Sequence, residues 1–167
     1  MATAPRPKIE LEWSPLDRIL EGLAGAATLL LLVLPAVYYN DLPDQIPTHF
    51  NAAGTPDGFG ARFTVWFMPL LGVVLYLFMT ILNRFPHQFN YLVTITPDNA
   101  KHQYTAATRL VRGLKTGILL LFVFITWKVI GGAIEGNSRL GSGFVLVLFL
   151  STGLPMIWYF RQSFSKK

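Results

Sequence analysis

Four stretches of this chain are long and apolar enough to cross a lipid bilayer, and nothing else in it constrains the fold as strongly. They fall at residues 16–39, 63–83, 113–134 and 140–160. A helix rises 1.5 Å per residue, so about 20 apolar residues cross the hydrocarbon, and only helices and closed barrels satisfy their backbone groups there. Charged residues make up 14% of the 167 positions, where soluble domains carry roughly a quarter. The predicted fold class is therefore all-α: an integral membrane four-helix bundle forming one domain over residues 15–160.

Local signals set the helix ends. Ser14 is a capping residue, Pro15 suits the first helical position, and Asp17 faces the positive end of the helix dipole. Before them, residues 1–14 are polar and carry Pro5 and Pro7, with no apolar core leading to a small-residue cleavage site. The expectation is a cytoplasmic segment rather than a cleaved signal. Pro69 should bend the second helix or mark its first turns. Alternation over residues 90–95 predicts a short extended segment, and Thr96-Pro97-Asp98 repeats the cap, proline and acid of Ser14.

A long third helix should begin there, as an amphipathic approach over residues 97–115 that lies in the cytoplasm before the span. Ala100, Tyr104, Ala107, Val111 and Leu114 form its apolar stripe. Lys101, Thr105, Thr108, Arg112 and Lys115 form a basic face expected to meet anionic headgroups. Residues 135–139 read as a turn before the fourth span, and residues 161–167 as a cytoplasmic tail.

Basic residues fix the orientation. Arg6, Lys8, Arg18, Arg84, Lys101, Arg109, Arg112, Lys115, Arg161, Lys166 and Lys167 gather on one side; Arg62, Arg139 and Lys128 fall on the other, with Asp41, Asp44, Asp57 and Glu135. The positive-inside rule puts both termini in the cytoplasm and residues 40–62 outside the cell membrane. Trp13 and Trp158 mark the inner interface, Trp66 and Trp127 the outer. Lys128 is the ionisable residue set deepest in a span and is expected to snorkel towards the turn at Glu135.

Several function classes drop away. Cysteine is absent, so there is no disulfide, thiolate nucleophile or thiolate-bound metal. No basic patch is interleaved with exposed aromatics, which argues against nucleic acid despite a pI of about 9.7. Broken helices repeated in two halves would mark a transporter, and none is visible.

What remains is the loop at 40–62, rich in proline and glycine and studded with Asp44, Gln45, Thr48, His49, Asn51 and Asp57. His49 is the single histidine on that side, since His87 and His102 lie on the other; a mixed site with Asp44 or Asp57 is chemically possible, but with one histidine and no fixed spacing no metal and no cofactor is expected. The loop lacks serine and cysteine, the commonest nucleophiles. His49 and Asp57 could still act as an acid–base pair on an outside lipid or peptide. Turn chemistry offers the plainer account: Thr55-Pro56-Asp57-Gly58 suits a turn, and Asp44, Asn51 and His49 can tie the loop to itself.

Residues 42–60, LPDQIPTHFNAAGTPDGFG, resemble the membrane domain found at the start of SdpI-type immunity proteins. That pattern is close to LP-x-x-IP-x-H-[FW]-x-x-x-G-x-P-D-G, matched here by Leu42, Pro43, Ile46, Pro47, His49, Phe50, Gly54, Pro56, Asp57 and Gly58. Phe89-Asn90-Tyr91, Ile95-Thr96-Pro97-Asp98-Asn99-Ala100 and Gln103-Tyr104 are also similar to small members of the group. The resemblance implies a membrane protein that protects against a secreted toxic peptide and can sequester a repressor. This chain departs from the longer members in having four spans.

The reading is a non-catalytic membrane protein whose outer loop recognises a peptide, a lipid or a partner, or an accessory subunit of a membrane complex. The alternative is a small membrane enzyme working at the outer interface through His49 and Asp57. Pro43, Asp44, Pro47, His49, Phe50, Asn51, Gly54, Pro56, Asp57 and Gly58 are the candidate motif residues in either case.

Overall fold

A computed structural model describes residues 6–141 and 143–165. Four helices are long and apolar enough to cross a membrane: α1 (Pro15–Tyr38), α2 (Phe67–Leu82), α3 (Ala100–Glu135) and α4 (Gly143–Ser165). Between α1 and α2 the chain is not all-α. Gln45–Phe50 (β1) and Pro56–Ala61 (β2) pair as an antiparallel hairpin, with Ile46 opposite Gly60 and His49 opposite Gly58. We call this the hairpin end of the bundle; the starts of α1 and α3 form the far end.

Helix α1 starts as its sequence dictates. The Ser14 hydroxyl accepts from the Asp17 amide while the Asp17 carboxylate accepts from the Ser14 amide, a complete capping box behind Pro15. One face then buries Asp17, Ala24, Ala27, Leu31 and Pro35, spaced by seven, three, four and four. Pro69 falls in the first turn of α2, where its missing amide hydrogen has no helical partner to lose. A 3-10 turn, Arg62–Trp66, leads into that helix.

Helix α3 is the axis of the molecule and runs parallel to α1, with α2 and α4 antiparallel to both. Its 36 residues make it about 54 Å long, well beyond a hydrocarbon core of about 30 Å. Regular α-helix begins at Ala100, but its first hydrogen bond is the Ala100 amide donating to the Thr96 carbonyl. Thr96 and Asn99 cap each other through side chain and amide, so the start signal stands at the threonine. Residues 90–95 form no strand; Pro86–Gln88 is a 3-10 turn and irregular chain follows. Tyr91 organises that stretch by donating to the Pro86 carbonyl at 2.7 Å, under the Arg6 guanidinium. Burial pushes its phenol well above the ordinary range, which keeps it a donor.

Three apolar clusters are strung along α3. Ala106 and Ala107 meet Tyr159 at the far end, Leu119 meets Ala24, Ala27 and Leu31 in the middle, and Val129 and Ile130 meet Leu42, Ile46 and Val65 at the hairpin end. Trp66 packs at the hairpin end and Trp158 at the far end. Gly136, with φ of 69°, closes α3, and α4 returns along it. Two side chains of α4, Tyr159 and Ser163, are buried among the described residues. Within the described residues the fourth helix runs over Gly143–Ser165, so it continues past residue 160; Ser142, Lys166 and Lys167 lie outside the described residues.

The predicted basic face of α3 needs correction. Thr108, Arg112 and Lys115 are buried against α1 and α2, not turned towards headgroups, while Lys101 is exposed. Those cations find carboxylates on α1, which outweigh lipid phosphate as partners once two helices pack side by side.

Candidate functional site

The hairpin is built from the motif residues, though its turn lies elsewhere than predicted. Residues 51–55, not 55–58, reverse the chain: the Asn51 amide donates to the Thr55 carbonyl at 2.9 Å and the Gly54 amide to the Asn51 carbonyl at 2.8 Å. The Asn51 side chain accepts from the amides of Ala53 and Thr55, and Gly54 sits at φ of 71°. A side-chain acceptor on two amides and a left-handed glycine determine this turn more strongly than a proline at the second position. Pro56, Asp57 and Gly58 then belong to strand β2. The tip is docked, because the Leu140 amide donates to the Gly54 carbonyl at 3.0 Å.

Asn51→Ala should cost about 1 kcal/mol through its lost hydrogen bonds, and Gly54→Ala a similar amount or more through left-handed strain. Thermal unfolding in detergent measures both, and hydrogen exchange at the Leu140 amide should quicken in each variant.

The remaining motif positions have distinct places. Asp44 closes the base of the hairpin, its carbonyl accepting from the Arg62 amide at 2.9 Å, and Pro43 beside it is exposed. Ile46 and Pro47 are buried and Phe50 is half-buried, packed on the hairpin-end cluster. His49 and Asp57 come together, with Nδ1 and Oδ1 2.5 Å apart and side chains 73% and 43% exposed. The glycines of β2 make the room: a Cβ on Gly58 would lie 3.0 Å from that of His49, and one on Gly60 2.9 Å from the Thr48 methyl. Among the described residues no three of His, Cys, Asp and Glu gather where they could hold a metal ion.

Beneath β1 lies an apolar cavity of about 740 Å³ between the hairpin, the start of α2 and the last turns of α3. Ile46, Phe50, Val65, Trp66 and Val129 line it, and His49 and Thr48 stand among its walls. Phe63, Phe67 and Leu70 belong to the same lining yet are each more than 60% exposed, so the cavity opens sideways onto the outer face of α2. Thr126, 3% exposed, also lines it and its hydroxyl has no hydrogen-bond partner among the described residues. Such volume and lining are those of a small-molecule pocket.

A second polar constellation escaped the sequence reading. At the far end Asp17 takes Arg109 at 3.1 Å and Arg112 at 3.3 Å, while Glu21 takes Lys115, itself fully buried, and lies 3.7 Å from Arg112. The Thr80 hydroxyl of α2 lies between Lys115 and Glu21. The spans thus hold an ion-pair network, where the sequence pointed to Lys128 alone; that side chain lies against the Trp127 ring. The overlooked signal is spacing: Asp17 and Glu21 are four apart, and Arg109, Arg112 and Lys115 three apart, so each set shares one face of its helix.

An uncharacterized protein of Archaeoglobus fulgidus is 35% identical over 72 residues, covering 38% of this chain and 39% of that protein. This chain therefore matches well under half of that relative's length. No solved structure matches. Residues 26–73 match the family described as Domain of unknown function (DUF1648), so the similarity runs from within α1 through the whole hairpin to the first turns of α2.

Proposed function

We propose that this is a non-catalytic multi-pass membrane protein whose hairpin cap recognises an amphiphilic ligand, either lipid-like or a hydrophobic peptide, at the membrane surface. The observation that carries the reading is the half-open apolar cavity under β1, whose mouth continues into the exposed apolar face of α2. An apolar body fits the lining, and His49 with Asp57 supplies a polar rim for its head. The expected orientation, with both termini in the cytoplasm and the hairpin outside, is supported by the bias of basic residues such as Arg84 and Arg109 towards the far end. The resemblance of residues 42–60 to immunity proteins favours a peptide; the sideways opening favours a lipid.

Photolabelling decides between them. A diazirine-bearing palmitate and a diazirine-bearing hydrophobic peptide are offered to the reconstituted protein. One of them should label β1 and the start of α2, and Ile125→Trp, which fills the cavity from its half-buried edge, should cut labelling about tenfold. Labelling spread evenly over all lipid-facing helices, unchanged in Ile125→Trp, sinks the reading.

One observation keeps the enzymatic alternative alive: the Asp57 carboxylate holds the His49 ring in a fixed orientation, as an acid–base pair requires. If His49→Ala abolishes turnover of a bound lipid or peptide while labelling persists, the pair is catalytic.

A further inference from the structure

We infer that the segment before α1 is a strap, latched at Arg6, that gates the entry of water to the Glu21–Lys115 pair. From Pro7 to Glu12 its residues alternate: Pro7, Ile9 and Leu11 are half-buried, while Lys8, Glu10 and Glu12 are exposed. That is the period of an extended chain laid flat with its apolar side inward. Beneath it lies a cavity of about 490 Å³. Ile9 and Leu11 line it from the strap, and Glu21 and Thr80, which hold the Lys115 ammonium, line it from the spans. Glu10 and Arg84 line it too and are both exposed, so the cavity meets solvent at that edge. Charged and polar walls make a space of this size wet rather than empty. Lys115 nevertheless has no exposed surface. With the strap down, solvent at the edge is kept from the ammonium.

The strap is fastened at its two ends. At one, Ser14 belongs to the capping box of α1, and the Trp13 ring centroid lies 4.8 Å from the Arg112 guanidinium. At the other, the exposed Arg6 guanidinium donates to the carbonyls of His87 and Phe89 and lies 5.6 Å from the centre of the Tyr91 ring. The buried Tyr104 hydroxyl adds a bond to the Pro7 carbonyl at 3.1 Å. Among the described residues, no hydrogen bond or ion pair fastens residues 8–12 in between. The two ends differ in strength. The capping box is part of a helix, whereas Arg6 meets neutral carbonyls and a ring at an exposed site, contacts that open without unfolding any helix. Once Arg6 lets go, the apolar contacts of Ile9 and Leu11 are all that holds residues 8–12 down, and the strap swings about Ser14 to bare Glu21 and Thr80.

The test is acetylation of the native lysines of the full chain in nanodiscs, by a sulfonated N-hydroxysuccinimide ester that stays in water, followed by peptide mass spectrometry. Exposed Lys101 is the internal standard. Lys115 should be nearly inert in the parent chain, and Arg6→Ala should raise its rate about tenfold relative to Lys101. Tyr104→Phe keeps the ring against Tyr91 and removes only the bond to Pro7, so it should raise the rate severalfold. Neither substitution touches the ion pairs. Lys115 that stays inert in both variants while Lys101 reacts fully overturns the proposal. Lys115 that already reacts as fast as Lys101 in the parent chain overturns it too, since the strap would then exclude nothing. Equal quickening of hydrogen exchange at the Leu140 amide, at the hairpin end, would assign the rise to general loosening and overturn it equally.

Discussion

Asp17→Ala is expected to destabilise the folded protein by about 3–5 kcal/mol, a large share of the 5–15 kcal/mol typical of a domain. The carboxylate has 3% of its side chain exposed and serves four partners: the Ser14 amide and hydroxyl, Arg109 and Arg112. Removing it opens the helix cap, takes the carboxylate from Arg109 and leaves the buried Arg112 with only the more distant Glu21. Loss of the cap alone costs about 1 kcal/mol; the weakened pairing of the two cations carries the rest. Asp17→Asn should fall between, since the amide oxygen can still accept while the charge is gone.

The Glu21–Lys115 pair supplies the matching control. Glu21→Leu alone strands a fully buried ammonium, whereas Glu21→Leu with Lys115→Met removes both charges and should recover most of the loss. Chemical unfolding in mild detergent, followed by tryptophan fluorescence, measures all four variants. An Asp17→Ala cost below about 1 kcal/mol would mean that water reaches the network and the pairs behave like surface ones.

Why that network went unread, when the four spans did not, is a matter of distance along the chain. A span declares itself within 20 or so consecutive residues, and a cap within four, so α1 and the Ser14 box follow from local chemistry. Arg112 and Asp17 are 95 residues apart, and a helix considered alone turns its cations to water or headgroups. Only the packing of α3 on α1 makes them neighbours. The hairpin was obscured for a different reason. Pro56-Asp57-Gly58-Phe59-Gly60-Ala61 holds residue types depleted from strands, and β1 carries Pro47 in its middle. Pairing is tolerated because the hairpin has two strands, so every position is at an edge, and two register irregularities between Pro47 and Phe50 absorb the misfit. His49 and Asp57 could be proposed as partners from the loop's inventory, and the register brings them together; the cavity below them depends on Val129 of α3, which no reading of the loop could supply.

Gly117→Ala should be the most damaging of the glycine-to-alanine changes along α3, and the reason starts in the other helix. Pro155 has no amide hydrogen, so the Ser151 carbonyl one turn earlier in α4 loses its helical donor. That oxygen is laid against Gly117: a Cβ built there would sit 2.1 Å from it and 3.0 Å from the Ser151 Cβ. Small residues let helices approach until a Cα hydrogen can meet a carbonyl, an interaction well suited to an apolar interface. A methyl group on Gly117 would collide with backbone, which has no rotamer to yield, so α4 must move outward. The cost should reach or exceed the top of the roughly 1–3 kcal/mol usual for overpacking.

Two other glycines calibrate it. Gly113→Ala places a Cβ 3.1 Å from the Pro155 ring, which can shift, and should cost less. Gly131→Ala meets nothing within 4 Å and should stabilise by about 0.5–1 kcal/mol, since alanine restricts the unfolded chain. With Trp13, Trp66 and Trp127 replaced by phenylalanine, Trp158 reports on α4 alone, and its quenching by brominated lipid should rise in Gly117→Ala but not in Gly131→Ala. Because α4 buries little of itself except against α3, a displaced α4 keeps its lipid contacts while α1, α2 and the hairpin stay docked on α3. The unfolding transition should therefore split in this variant, the α4 step coming first; a single unshifted transition would show that the close approach of Ser151 to Gly117 does not hold the fourth helix in place.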